Sequence, residues 1–187
     1  KNIASDKVTK IFSVFSPCGG VGKTSIAMSI ACEAVNIGKR VLFLDLQNFN
    51  NYLLNDTAEN KYNLSDLIFN IINNKPIDIV DYISKDLINS IEFIKPVESM
   101  SDFIALNNMY LSKILFMIAE KKIYDLIVID CASVFDEKIK SIFSISNEIA
   151  VILTDDIFCK QKVSKFLQEI HKNPSINSLN IINNIVY

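Results

Sequence analysis

Short apolar runs alternate with longer amphipathic segments along most of the chain. The runs are rich in β-branched and aromatic residues, as in "VLFLD" at 41–45 and "LIVID" at 126–130, and segments with helical spacing of apolar positions separate them. This alternation is typical of β–α units around a parallel sheet. Several runs are almost free of polar residues, as expected of strands that helices cover on both faces. The pattern therefore predicts a three-layer α/β fold with a mostly parallel central sheet flanked by helices.

The same pattern predicts where the elements lie. Strands are expected at residues 11–15, 41–45, 91–94, 126–130, 150–153 and 180–185. A first helix should follow directly on the first strand and stop near Gly38, because Ile26, Ala27, Ile30, Ala31, Ala34 and Val35 form one apolar stripe. Further helices are expected at 63–73, 106–121, 137–144 and 158–172. The segment 48–75 gives conflicting signals, since its asparagines favour a loop and "LSDLIFNII" favours a helix.

Composition indicates one globular domain. The chain has 187 residues, of which 50% are hydrophobic and 21% charged, enough for a sizeable buried core. We expect residues 10–187 to form this domain, without its far carboxyl-terminal elements. Because the chain begins at Lys1 rather than methionine, residues 1–9 are expected to be a linker or the tail of a preceding segment. The net charge of -2 gives no direct nucleic-acid signal, although a local basic patch would be compatible with it.

The cysteines argue against a metal or disulfide framework. The four of them are scattered without a C-x-x-C pair, and the single His171 is far from all of them in sequence. A reducing cytoplasm is the expected location. No apolar run approaches the roughly 18 to 20 residues that cross a bilayer, and the amino terminus lacks a signal-peptide layout, so a soluble chain is expected.

The stretch "SPCGGVGKTS" at 16–25 carries the strongest chemical signal. It approximates the phosphate-loop pattern G-x-x-x-x-G-K-[ST], with Pro17 at the first glycine position. Three of the four glycines of the protein lie here, and positive φ angles at Gly19, Gly20 and Gly22 would let backbone N–H groups surround phosphate oxygens. Lys23 would reach the β- and γ-phosphates, and the Thr24 hydroxyl would bind magnesium. The alternative is a glycine-rich turn that binds nothing.

A carboxylate beside the metal should come from a second element. "YDLIVIDCAS" supplies Asp130 after four apolar residues, as a Walker-B strand does. The alternative is an aspartate that caps the following turn. Together with the phosphate loop, this strand favours the P-loop NTPase fold.

These residues resemble the deviant Walker-A ATPases of the ParA and MinD type. The family loop K-G-G-x-G-K-[ST] matches "CGGVGKTS" except at Cys18, and "GKRVLFLDLQ", "YDLIVIDCAS", "EIAVILTDD" and "IINNIVY" extend the likeness from residue 10 onward. The Ser16-Pro17 pair before the glycines is similar to the TadZ and CpaE-like branch, which serves pilus assembly. The resemblance implies ATP and Mg²⁺ as cofactors and a nucleotide-dependent homodimer.

The resemblance also assigns roles to residues. Those implied to bind the nucleotide are Cys18, Gly19, Gly20, Val21, Gly22, Lys23, Thr24, Ser25 and Asn183, the last at adenine, with Asn184 as its alternative. Those implied to hold Mg²⁺ are Thr24, Asp45 and Asp130, the last through water. Those implied to act in hydrolysis are Lys23, Asp45 and Gln47.

Two positions depart from the family pattern. The family's signature lysine, which touches the partner's nucleotide across the dimer, is Cys18 here, and Gln47 stands where the MinD branch has an aspartate near the attacking water. A thiol cannot supply the fixed charge, and an amide can orient water but cannot accept its proton. We therefore expect slow ATP hydrolysis.

Three functions remain to be distinguished. The first is a localisation or dimerisation switch in pilus or secretion-system assembly, with protein partners and with peripheral membrane association through those partners or through missing segments. The second is an ATPase for DNA segregation or division-site placement. The third, a metal-cluster carrier or reductase, is disfavoured because it needs paired cysteines.

Other residues have weaker claims. Cys18 lies beside a helix N-terminus and Lys23, which would stabilise a redox-active thiolate; the alternative is that it simply replaces a lost lysine. Asp155 and Asp156 follow a strand and would contact ribose or the base, or lie in a solvated turn. His171 is most simply a helix cap.

Overall fold

The computed structural model describes residues 8–47, 54, 61–172 and 179–183, and only the backbone of 179–181 and 183. Its strands are β1 Lys10–Phe15, β2 Val41–Leu46, β3 Ile83–Lys85, β4 Glu92–Ile94, β5 Leu126–Cys131, β6 Glu148–Leu153 and β7 Leu179–Asn183. Its helices are α1 Lys23–Asn36, α2 Leu64–Ile72, α3 Met100–Ala105, α4 Asn108–Glu120, α5 Glu137–Ile145 and α6 Ile157–Ile170, with a 3-10 turn at Ile79–Tyr82.

The strands form one seven-stranded sheet with the order β3-β4-β2-β5-β1-β6-β7. All neighbours are parallel except the edge pair β3 and β4. β1 lies between β5 and β6, so its carboxyl end opens at the centre of the sheet, where ligands of such folds bind. The predicted α/β fold with a mostly parallel sheet is confirmed.

Helices cover both faces of the sheet. Successive residues of β5 point to opposite faces, yet Ile127, Val128 and Ile129 are all fully buried. In α1, the buried residues Ala27 and Ala31 keep the side chains facing the core small, which lets the helix backbone lie close to the strands.

An aromatic cluster packs beneath the end of β1. The Phe15 ring contacts Phe143 at a centroid distance of 5.4 Å and Phe166 at 4.9 Å, and Phe135 joins the same group. Phe15 is the last residue of β1 and Phe143 lies in α5, so this packing fixes the point from which the next loop departs.

The predicted elements agree with the structure within a few residues, but two further elements are present. β3 and α3 were not predicted, because three and six residues are too short to show periodicity. In the 48–75 segment the helix is confirmed as α2, which begins with a reciprocal Asn63–Asp66 capping box. Residues 48–53 and 55–60 of that segment, and residues 184–185 of the last predicted strand, lie outside the described residues. All four cysteines are free thiols. Within the described ranges, no helix is long and apolar enough to cross a membrane.

Candidate functional site

The loop between β1 and α1 opens onto free space. Gly20 and Gly22 have φ angles of +70° and +83°, conformations that favour glycine, whereas the positive φ expected at Gly19 is wrong. A Cβ atom at Gly19 or Gly20 would meet nothing within 4 Å. Gly22 is the N-cap of α1 and offers no side chain to the first N–H groups. These donors, together with the helix dipole, suit an anion.

Lys23 is buried and folded back across this loop. Its Nζ donates a hydrogen bond of 2.7 Å to Ser133 Oγ and one of 3.4 Å to the Cys18 carbonyl. Burial lowers the pKa of Lys23, while the nearby Asp130 charge acts in the opposite direction. Sequence reasoning missed Ser133, because no motif marks it and its role depends on a contact with a distant segment.

Two carboxylates and a hydroxyl meet beside the loop. Asp45 and Asp130 are register partners on β2 and β5. Gln47 Nε2 donates to Thr24 Oγ1 at 2.7 Å and to Asp130 Oδ2 at 2.5 Å, and the Gln47 main-chain N–H donates to Asp45 Oδ1 at 3.0 Å. The structure thus brings together all three predicted Mg²⁺ ligands and Gln47.

Asp130 is fully buried and incompletely satisfied. No described residue donates a hydrogen bond to its Oδ1 atom. Burial raises the pKa of Asp130 to about 6, and the charge of Asp45 raises it further. Hydrogen bonds with Thr24 and Gln47 and the charge of Lys23 act in the opposite direction. The capping alternative is wrong, because Asp130 lies within β5 and Asp136 caps α5. An orphaned oxygen with a second carboxylate and a hydroxyl nearby fits a hard divalent cation.

A cleft of about 430 Å³ lies beside the loop between β1 and α1. Its walls are Cys18, Gly19, Gly20, Val21, Thr154, Asp155, Asp156, Phe158, Cys159 and Lys162. Phe158 is 70% exposed. Lys162 is exposed, and we find no described residue that forms an ion pair or hydrogen bond with it. Lys162 therefore adds a positive charge to a cleft that Asp155 and Asp156 also line.

The thiol of Cys18 faces the protein interior. It is 6% exposed and its Sγ lies 3.8 Å from the Cys159 carbonyl oxygen. Burial raises the pKa of Cys18 to about 11. The expectation of a stabilised thiolate is wrong, since desolvation of the thiol outweighs the positive charge of Lys162. Cys131 is also fully buried, and its pKa is raised for the same reason.

The remaining predicted residues divide as follows. Asp156 caps α6 through a 2.8 Å bond from the Cys159 N–H, and Asp155 pairs with Lys160 at 2.9 Å, although both also line the cleft. His171 is the C-cap of α6, and its Nδ1 lies 2.6 Å from the Leu167 carbonyl oxygen. Val21 is buried and Ser25 is exposed. Asn183 ends β7 and its side chain is outside the described part, as is all of Asn184.

A family model shows the family of the chain, and solved structures show its fold. A family model described as an AAA domain matches residues 9–181. The fold is similar to a ParA family ATPase from Chlorobium tepidum TLS, with a TM-score of 0.77 and 16% identity over 95% of this chain and 74% of that one. No curated protein sequence matches the chain.

Two MinD structures are also similar. In the MinC:MinD cell division protein complex from Aquifex aeolicus, the match has a TM-score of 0.71 and 17% identity over 93% of this chain and 68% of that one. The second is the septum site-determining protein MinD from Pyrococcus horikoshii OT3, complexed with Mg-ADP. Its match has a TM-score of 0.71 and 20% identity over 94% of this chain and 70% of that one.

Proposed function

Because the chain belongs to the AAA domain family and has the fold of the ParA and MinD ATPases, we propose that it binds ATP with Mg²⁺ and acts as a nucleotide-dependent switch. The observation that carries the proposal is the β1–α1 loop, in which uncapped N–H groups and the Lys23 amine lie beside the unsatisfied Asp130 carboxylate. Anion donors next to an acidic cation site are what a metal-bound nucleotide requires. The MinD protein of Pyrococcus horikoshii, which shares the fold, is complexed with Mg-ADP.

Each part of the loop has a defined task in this proposal. The backbone of residues 19–24 would hold the phosphates, and Lys23 would exchange its neutral partners, Ser133 Oγ and the Cys18 carbonyl, for charged oxygens. Thr24, Asp45 and Asp130 would hold Mg²⁺, the last through water. When bound, Mg²⁺ would neutralise charge on the phosphate oxygens.

Slow hydrolysis is part of the proposal. Cys18 carries no positive charge and its thiol is directed into the protein, so the loop contributes a single side-chain cation, Lys23. Gln47 could orient a water molecule but could not accept its proton. The loss of one cationic contact in phosphoryl transfer costs on the order of 10³-fold in rate.

The biological setting is the finer part of the proposal. A role in pilus or secretion-system assembly is supported by the resemblance of the Ser16-Pro17 pair to the TadZ and CpaE-like branch. Ser16 shapes the start of the loop, because its Oγ accepts a 3.1 Å hydrogen bond from the Cys18 N–H. A homodimer that forms with ATP in the cytoplasm, and protein partners that recognise it, complete the switch.

One set of measurements tests the proposal. We expect calorimetry to detect binding of ATP and of ADP, with full affinity only when Mg²⁺ is present. Light scattering should detect a dimer with ATP but not with ADP. The rate of ATP hydrolysis should stay low. A folded protein that binds neither nucleotide would overturn the proposal. Turnover as fast as that of an activated ParA-type ATPase would contradict the slow-switch reading, and nucleotide-dependent binding to duplex DNA would favour DNA segregation instead.

A further inference from the structure

We propose that the side-chain amide of Gln47 closes the cation position between Thr24 and Asp130 in the metal-free protein and must withdraw before Mg²⁺ can bind there. This amide with its two hydrogen bonds is called the Gln47 latch below. The inference rests on the proposed function for the identity of the cation. It adds a role for Gln47 that precedes any contact with the attacking water.

The contacts of one nitrogen atom carry the inference. Gln47 Nε2 lies 2.7 Å from Thr24 Oγ1 and 2.5 Å from Asp130 Oδ2, so its two hydrogens are both used. The two oxygens come from different elements, α1 and β5, yet both are directed at this nitrogen. A donor group therefore occupies the point at which the hydroxyl and the carboxylate converge.

A cation and the latch cannot share this point. Mg²⁺ requires oxygen ligands at about 2.0 to 2.1 Å, so it would take the Thr24 lone pair that Gln47 now occupies, and a water molecule on the ion would replace the amide as the donor to Asp130. The amide is neutral, so it compensates the buried Asp130 carboxylate only in part, and Oδ1 stays without a described donor. A divalent ion can thus displace the amide, but only by breaking both of its hydrogen bonds.

The latch is also joined to the backbone after β2. The Gln47 N–H donates to Asp45 Oδ1 at 3.0 Å, and Leu46 is the last residue of the strand. A cation that recruits Asp45 would compete for this bond as well. Withdrawal of Gln47 therefore links occupation of the cation site to the position of the chain directly after β2.

The first test compares metal affinities. Gln47→Met keeps a side chain of similar length but has no N–H donor, and Gln161→Met and Gln168→Met, on the exposed face of α6, are matched controls. Mn²⁺ and Mg²⁺ are titrated into the protein with ADP present. We expect Gln47→Met to bind the metal about three- to tenfold more tightly, the size of one net hydrogen bond or slightly less, and the controls to match the wild type. Equal or weaker binding by Gln47→Met would overturn the latch.

A second test does not depend on whether Gln47→Met folds. The chain has three glutamines, so in protein labelled with ¹⁵N only at glutamine side chains the three amide signals can be assigned with the two control variants. In EDTA, the Gln47 amide protons should exchange with solvent more slowly than those of the other two, and Mg²⁺ with ADP should abolish this protection. Unprotected Gln47 protons in EDTA, or protection that survives saturation, would show that the latch is wrong. Absence of ADP binding with protected protons in EDTA would instead refute the proposed function and leave the closed contact established.

Discussion

Asp45 and Asp130 lie opposite each other on the neighbouring parallel strands β2 and β5. The pairing places a second negative charge beside a fully buried carboxylate, and it contributes to the raised pKa of Asp130. Without a bound cation, the two carboxylates therefore repel each other at neutral pH. The same arrangement would favour the binding of a divalent ion.

The first prediction is that Asp130→Asn stabilises the metal-free fold. The pKa of Asp130 is about 6 in the folded protein and near 3.8 in the unfolded chain. Between pH 3.8 and pH 6 the folded protein therefore retains a proton that the unfolded chain has released. Stability therefore falls as pH rises from about 4 to 6 and stays lower above that. The variant should be more stable than the wild type by roughly 1 to 3 kcal/mol at pH 7.5, with the difference vanishing near pH 4.

Urea unfolding in EDTA across this pH range measures the effect. Asp81→Asn, which changes an exposed aspartate, is the control and should leave the pH profile unchanged. Identical profiles for Asp130→Asn and the wild type would show that the buried carboxylate carries no such penalty.

The second prediction concerns Lys23→Met. ATP affinity should fall by about 100-fold, because the only cation within the loop is lost from the phosphate site. Lys165→Met, on the exposed side of α6, is the matched control. Calorimetry that detected ATP binding within threefold of the wild type would contradict the assignment of Lys23.

The third prediction concerns thiol reactivity. With a pKa of about 11, Cys18 would be thiolate to only about one part in a thousand at pH 8, and its burial further limits access. Cys32 is the half-buried cysteine of the four and should react first with iodoacetamide. Mass spectrometry should find one modified site, Cys32, early in the reaction. This modification should be absent in Cys32→Ser and unchanged in Cys18→Ser. Rapid modification of Cys18 in the folded protein would revive a redox role.

The fourth prediction concerns the cleft beside the loop. Lys162→Ala should weaken ATP binding by about three- to tenfold, because its ammonium lines the same space as Gly19 and Gly20. The loss should shrink as salt screens the exposed charge. Lys165→Ala on the same helix is the control, and equal affinities for the two variants would remove Lys162 from the site.

The sequence predicted the long and periodic features. Strands such as β5 were recognisable because continuous apolar runs reflect burial on both faces, and the loop was recognisable because Gly20 and Gly22 need conformations that other residues rarely adopt. β3 escaped prediction because it is defined by its antiparallel partner β4 and not by its own three residues.

The order of chemical groups along the chain was enough to specify a phosphate loop, a carboxylate strand and the α/β fold, because these depend on local spacing. Three properties of the site depended on packing between distant segments. The direction of the Cys18 thiol, the contact of Lys23 with Ser133, and the closing of the cation position by Gln47 each join residues that meet only when the sheet forms. Desolvation and hydrogen bonding are properties of those neighbours, so the pKa values and the state of the site arise from the tertiary structure.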